Sequence, residues 1–239
     1  MTVLADVPRS ALAIYAHPDD HEISCGGTLA CWAAAGAEVR VVVGCKGEKG
    51  SMDPATDTDA LAARRAEEVS AAARALGVAG VDLLGHPDGE LDAVGAGLRA
   101  ELVGIIRRHR PEVVVCPDPT AVLFGDGYVS HVDHRVIGFA AIDAVAPAAA
   151  SPLYFPDRGA AHQVSTLLLS GTLEPDAWVD IGGVLDAKVA AVLAHRSQLA
   201  SDADEWLGDF VRHRAEEEGT RAGAGITYAE AFRRLRFTR

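Results

Sequence analysis

"ALAIYAHPDDHEISCGGTLACWAAAG", residues 11–36, passes from an apolar run through a loop of acids and imidazoles into a helical pattern that halts at a glycine. The run Ala11–Tyr15 is short, uninterrupted and apolar, which reads as a core strand. Ile23–Ala35 carries apolar residues at helical spacing, and Gly36 stands just beyond its last turn, the usual place for a helix stop. Between the two crowd His17, Asp19, Asp20, His21 and Glu22. A helix N-cap with a favourable first-turn charge accounts for one aspartate there, not for the whole cluster.

The strand-then-helix order repeats along the chain. Further strands are read at Glu38–Cys45, Val81–Leu84, Glu112–Cys116 and Thr166–Ser170, and further helices near Asp59–Leu76, Ala96–Arg108 and His134–Ala146, with Gly77 closing the second helix. Such alternation predicts an α/β fold, a Rossmann-like and mostly parallel sheet with helices on both faces. Beyond Pro147 the pattern loosens. Strand-like pieces around Leu153 and Thr166 lead to a helix over Gly183–Ser197, a charged helix over Asp202–Glu217 and a glycine-rich stretch at Gly219–Gly225. With no repeat and no linker, residues 1–239 are read as a single domain and 148–239 as its C-terminal extension.

At 239 residues and 49% hydrophobic content the chain can bury a large core. A formal charge of -12 argues against nucleic acid, whose binding wants a basic face, and favours a small-molecule partner. No secretory leader pattern opens the chain and no apolar stretch is long enough to span a bilayer, so the expectation is a cytoplasmic protein without a membrane partner. Cys25, Cys31, Cys45 and Cys116 follow no zinc-like spacing and are expected as buried small hydrophobes.

In a parallel sheet, ligands bind beyond the carboxyl ends of the strands. Three long loops follow strands here: "AHPDDHE", "KGEKGSMDPATDTD" and "PDPTAVLFGDGYVSHVDH". A catalytic zinc takes three protein ligands from His and Asp or Glu and leaves a position for water. His17 and Asp20 supply two, and a histidine of "SHVDH" supplies the third. Asp19 then stands beside the metal as a free carboxylate able to take a proton from the attacking water. The remaining imidazole, with Asp133 close by, suits a general acid or an oxyanion stabiliser. No Gly-x-Ser-x-Gly elbow is present, and adjacent Asp19 and Asp20 do not flank a bond as glycosidase carboxylates do.

"AHPDDHEISCGGTLA" together with "SHVDH" resembles the zinc-dependent N-acetyl-sugar deacetylases of the LmbE-like, or PIG-L, family. The resemblance continues through "GEKG", "RAEEVSAAARALGV", "HPDGEL", "RPEVVVCPDP", "KVAAVLAHRSQ" and "YAEAF". It implies His17, Asp20 and His134 as ligands of one Zn2+, Asp19 as general base, and His131 with Asp133 as the acid or oxyanion-stabilising pair. It also implies that Arg65 holds substrate and that Glu48 borders the site. Asp88 is placed with them on the substrate side, although "PDG" is equally a turn sequence. The implied reaction removes the acetyl group from an N-acetylated amino sugar, and the implied assembly is a homo-oligomer, a trimer or a hexamer. Against it stand an amidase acting on a different acyl or sugar-thiol conjugate, and a metal- and sugar-binding protein without turnover. His21, inserted before Glu22, is not assigned to the metal, and no role is assigned to Tyr128, His195 or Glu230.

Overall fold

In the computed structural model, which describes residues 2–92, 96–199, 203–223 and 225–237, the opening apolar run lies in the middle of a sheet. The strands are β1 (Thr2–Val3), β2 (Ser10–Tyr15), β3 (Glu38–Cys45), β4 (Gly80–His86), β5 (Val113–Pro117), β6 (Leu123–Phe124), β7 (Tyr128–Val129), β8 (Thr166–Ser170), β9 (Ala177–Asp180) and β10 (Ala229–Arg236). The α-helices are α1 (Asp20–Ala34), α2 (Thr58–Leu76), α3 (Ala96–His109), α4 (Val132–Asp143), α5 (Leu185–Val192) and α6 (Ala203–Ala222). Eight strands join in the order β1-β9-β10-β8-β5-β2-β3-β4, and β6 and β7 form a separate hairpin. All pairings in the large sheet are parallel except those of β10, which runs antiparallel between β8 and β9.

The order of the parallel strands reverses at β2: β3 and β4 lie to one side, β5 and β8 to the other. That reversal opens a crevice beyond the carboxyl ends of β2 and β5, where an open α/β sheet accepts ligand. The loops leaving these two strands are the HPDD and HVDH loops.

Alternation along β2 divides the core. Leu12 and Ile14 face a cluster with Leu102 and Ile106 of α3 and Ile137 of α4, while Ala11, Ala13 and Tyr15 face Cys25, Leu29 and Trp32 of α1 and Val69 of α2. Both faces of the strand are apolar because both are covered by helices. Gly77 ends α2 at φ 71°, a left-handed position that favours glycine.

The single-domain α/β class and the five expected strands agree with the sequence reading, while the parallel pair β1 and β9 adds to it. The strand-like piece around Leu153 does not exist: residues 152–154 form a turn and Leu153 is 87% exposed. The helix expected over His134–Ala146 runs from Val132 to Asp143, and the chain kinks just beyond it, where Ala146 leaves helical geometry at φ -141° and ψ 118°. The helix expected over Gly183–Ser197 is shorter, Leu185–Val192, with 3-10 turns at either end. The charged helix runs beyond Glu217 to Ala222, through Gly219; its expected first residue, Asp202, lies outside the described residues. Among the described residues no helix is long and apolar enough to cross a membrane.

Two buried ion pairs fasten the last part of the chain to α1. Lys188 of α5 donates to the carbonyl of Ile23 at 2.8 Å and pairs with Glu230 of β10, whose carboxylate accepts the backbone N–H groups of Gly27 at 2.9 Å and Thr28 at 2.7 Å. Ile23 and Gly27 are an i, i+4 pair, so the ion pair straddles one rung of the helix. Glu22 lies 3.0 Å from His21 and 3.1 Å from His195, although neither imidazole is aligned for a good hydrogen bond.

Gly138 sets the spacing of α4 against the sheet. A Cβ there would stand 2.7 Å from the carbonyl oxygen of Pro117 in β5, and backbone cannot yield as a flexible side chain does. Gly138→Ala is expected to lower unfolding stability by about 1–3 kcal/mol through overpacking, despite its better helix propensity. Urea denaturation should show the midpoint falling with the slope unchanged.

Candidate active site

The elbow between β2 and α1 is bent sharply. Asp19 adopts φ 98°, a left-handed conformation rare for a residue with a Cβ, and strain of this kind costs on the order of 1–3 kcal/mol. Its neighbours hold it there. The Asp20 carboxylate accepts the His17 N–H at 2.7 Å, while Arg65 of α2 donates to the Pro18 carbonyl at 2.5 Å and to Asp19 Oδ2 at 3.1 Å. Arg65 reaches back to the Gly47 carbonyl as well, at 3.0 Å, so one guanidinium ties the first two loops together.

α4 starts at the end of the third loop, with His131 as N-cap and its Nδ1 accepting the Asp133 N–H at 3.3 Å. One helical step on, His134 points its Nε2 at Asp20 Oδ1, 3.1 Å away, and at His17 Nδ1, 3.2 Å away. His17 Nδ1 stands 3.4 Å from Asp20 Oδ2. The two ring nitrogens lie 3.2 Å apart with one Asp20 oxygen against each, at 3.1 and 3.4 Å, and the edge of a tetrahedron with bonds of about 2.0–2.1 Å to a central ion is about 3.3 Å. Two imidazole nitrogens that close, both facing a carboxylate, call for a cation or a proton between them.

His17 is fixed from behind. Its Nε2 lies 3.1 Å from Asp133 Oδ2 and 3.2 Å from Asp88 Oδ1, so a proton on Nε2 has acceptors, and Nδ1, facing Asp20 and His134, is the nitrogen that would turn to an ion in place of its own proton. Asp133 is fully buried and is itself pinned by the backbone N–H groups of Gly89 at 2.6 Å and Leu91 at 3.2 Å. The "HPDGEL" stretch thus supplies the cradle for Asp133, a role its residue types do not announce. Asp133 was paired with His131 from the sequence. Its carboxylate is nearer to His17, and the His131 ring is 3.8 Å away with its Nδ1 already accepting from the Asp133 backbone. His17, Asp88, His131 and Asp133 form a second cluster of metal-capable groups, on the other nitrogen of His17.

Arg65 is 3% exposed, and the partners it finds in the structure are Pro18, Asp19 and Gly47. Glu48 accepts the Asp88 N–H at 3.1 Å, one contact removed from His17. Tyr128 stands half exposed on the hairpin, and His21 belongs to the Glu22–His195 cluster rather than to either metal-capable group.

The electrostatics separate the two adjacent aspartates. Burial would raise Asp20, but His134 and His17 hold it well below the usual carboxylate range. Burial and the Asp20 charge push Asp19 up to about 6, with Arg65 pulling the other way. Asp19 therefore titrates nearer neutrality than a free carboxyl while staying mostly ionised at pH 7, and a cation beside Asp20 draws it down again. Burial and the neighbouring His17 charge lower His131, so its imidazole is neutral, with the proton on Nε2 because Nδ1 is an acceptor.

A cleft of about 940 Å³ opens beside these groups. Asp20 and His134 stand in its wall, Tyr15 and Ser170 belong to its lining, and Phe124, Tyr128, Leu173 and Phe210 bring apolar surface to it. Phe210 sits on α6 and Leu173 after β8; neither stood out in the sequence, where a single aromatic at helical spacing reads as core.

Fold and donor set define a Rossmann-like α/β protein able to hold a metal ion beside a spare carboxylate. Residues 12–145 match the PIG-L model, described as GlcNAc-PI de-N-acetylase, and the chain belongs to this family. It is 33% identical over 228 residues to the diacetylchitobiose deacetylase of Thermococcus kodakarensis, an alignment covering 94% of this chain and 82% of that one. Identity is also 33%, over 251 residues, to the 1D-myo-inositol 2-acetamido-2-deoxy-alpha-D-glucopyranoside deacetylase of Tsukamurella paurometabola, covering 80% and 84%. Among solved structures, N,N'-diacetylchitobiose deacetylase from Pyrococcus horikoshii bound to an inhibitor superposes with a TM-score of 0.86 at 32% identity, covering 97% of this chain and 88% of that one.

The Glu22 cluster generates a stability prediction. Burial alone would raise Glu22, yet His21 and His195 bring it from 4.5 down to about 2. A depressed carboxyl stabilises the fold above its unfolded value, so this contribution is complete above pH 4.5 and fades as pH falls toward 2. His195→Ala removes one partner of a buried pair and is expected to cost about 3 kcal/mol at neutral pH. Acid titration of unfolding should show a flatter slope for the variant below pH 4.5.

Proposed function

We propose that this protein hydrolyses the acetamide of an N-acetylated amino sugar of the N-acetylglucosamine type, releasing acetate and a free amine. The observation that carries the reading is a three-donor cradle, His17, Asp20 and His134, with the carboxylate of Asp19 adjacent to it and left over. The activities named for the relatives, removal of acetyl groups from N-acetylglucosamine-containing glycosides, support the same reaction class.

Two imidazoles and a carboxylate suit zinc, which we take as the ion that His17, Asp20 and His134 would hold. An ion in that cradle supplies Lewis acidity, lowering the pKa of water and polarising the acetyl carbonyl. Asp19 takes the proton from the attacking water and then delivers it to the departing nitrogen, a task open to it because its carboxylate is not spent on the cradle. His131, neutral and carrying its proton on Nε2, donates a hydrogen bond to the developing oxyanion. Asp133 acts on both histidines, through its N–H on His131 and through its carboxylate on His17. Arg65 keeps Asp19 in its bent conformation and borders the substrate side with Glu48. Asp88, one oxygen of which faces His17, offers the other to a sugar hydroxyl. We place the enzyme in the cytoplasm as a homo-oligomer, with residues 148–239 as an extension of its one domain.

Acetate release from N-acetylglucosamine conjugates tests the reading. Activity should vanish on chelation and return with zinc. Asp19→Asn should lower kcat by about 10²–10⁴-fold while the bound metal stoichiometry stays at one. Full turnover by metal-stripped Asp19→Asn protein would remove the mechanism.

A further inference from the structure

Among the described residues, the Asp133 carboxylate behind His17 meets four donors, and one of them is a thiol. Its Oδ1 accepts the Leu91 N–H at 3.2 Å, while Oδ2 accepts the Gly89 N–H at 2.6 Å, stands 3.1 Å from His17 Nε2 and accepts from Cys45 Sγ at 3.4 Å. An ionised carboxylate has room for about four such bonds, so the set is full. Asp133 is fully buried, where an oxygen left one donor short is costly.

By sequence Cys45 reads as a small apolar core residue. Its burial agrees with that, and its direction does not. Val39, Val41 and Val43 of β3 pack on the α1 side of the sheet and Val42 on the α4 side, so strict alternation assigns Cys45 to the α1 side. It lies instead in the α4-side cluster, with Val42 and Ile137. The change falls at a bulge: the pairing of β3 with β4 slips between Val43 and Cys45, where Leu84 and Gly85 stand opposite Gly44 alone and Gly85 takes φ 75°. Bulges beside active sites re-aim single side chains in this way. The Cys45 N–H also donates to the Ala16 carbonyl at 2.7 Å. One residue is thus fastened by its backbone to the chain just before His17 and by its side chain to the carboxylate behind His17. Burial pushes the thiol up to about 11, so the group is a neutral donor and not a thiolate ligand.

We propose that Cys45 is a positioning residue for the metal cradle: its thiol completes the donor set of Asp133, which in turn holds the His17 ring with Nδ1 turned toward Asp20 and His134. Resting on the metal-dependent deacetylase reading, the proposal adds to it a group that acts through Asp133 and His17 rather than on ion or substrate. A carboxylate with a vacant lone pair is free to turn about its own axis, and the plane of the imidazole is then no longer fixed from behind. Groups that orient a metal-binding histidine typically contribute roughly 10–100-fold to metal affinity.

The test measures the zinc affinity of the full-length protein by competition with a chromogenic chelator, a readout independent of turnover. Cys45→Ala and Cys45→Val both remove the donor, the second without leaving a cavity, and each should weaken zinc binding about tenfold. Cys45→Ser returns a donor and should recover most of that loss. In infrared difference spectra against Cys45→Ala, the Cys45 S–H stretch should lie below those of the other three cysteines, as a bond to a charged acceptor requires. Wild-type affinity in Cys45→Val overturns the proposal in favour of packing alone. It is overturned equally if Cys45→Ser falls as far as Cys45→Val, or if the S–H stretch is that of a free thiol. Should Cys45→Ala fail to fold, the comparison of Cys45→Val with Cys45→Ser decides. If the variants fall in the stated order while the wild type releases no acetate from N-acetylglucosamine conjugates, the deacetylase reading fails and the role of Cys45 stands; if the wild type binds no zinc, both fall.

Discussion

The imidazole of His17 is held at both nitrogens, and the geometry of the site follows from that. Nε2 faces two carboxylates, Asp133 and Asp88, and Nδ1 faces Asp20 and His134. The four partners come from three segments: Asp20 from the elbow after β2, Asp88 from the loop after β4, and Asp133 and His134 from the first turn of α4. A ring that can donate on only one side must receive on the other, so the buried carboxylates behind it decide what it presents in front. The strand order does the rest, because its reversal at β2 brings the β2 and β5 loops to a shared crevice.

Behind this surface lies a layer of buried polar contacts of long sequence range. Glu68 of α2 accepts the N–H and hydroxyl of Ser197 at 2.7 and 2.6 Å, beside the pairing of His195 with Glu22. The short segment 195–198 therefore braces both helices that carry the elbow, α1 by its first turn and α2 by the turn next to Arg65. Groups so buried remain tolerable only while every partner is in place. Their arrangement fixes where α1 begins, and with it where Asp19 and Asp20 point.

Much of this was legible in the sequence, for identifiable reasons. Five of the parallel strands were readable as apolar runs, and Glu38–Cys45 and Thr166–Ser170 have the limits expected of them, whereas the short parallel pair β1 and β9 was not read. The candidate donors that the structure brings together, His17, Asp20 and His134, stood out because histidines and aspartates crowd into the loops that follow β2 and β5. β10 was not, since "AEAFRRLR" looks neither alternating nor apolar: Glu230 is spent inside α1 and Arg233 pairs with Glu174 at the surface. The cradle for Asp133 is made of backbone N–H groups, which leave no signature in residue type. His195 and Glu22 are 173 positions apart, a distance over which a single sequence says nothing about contact.

The carboxylate of Glu230, set against the middle of α1, has a bearing on how the chain is made. The helix that begins with Asp20 obtains two of its hydrogen-bond acceptors from the last strand, and β10 enters the sheet between strands already synthesised. While the ribosome still holds those final residues, Lys188 has no counter-charge to bury against and the β8 edge stands unpaired. The helix that follows the Asp19 elbow thus takes its support from a carboxylate 203 positions further along the chain, and that support is absent until β10 has been made.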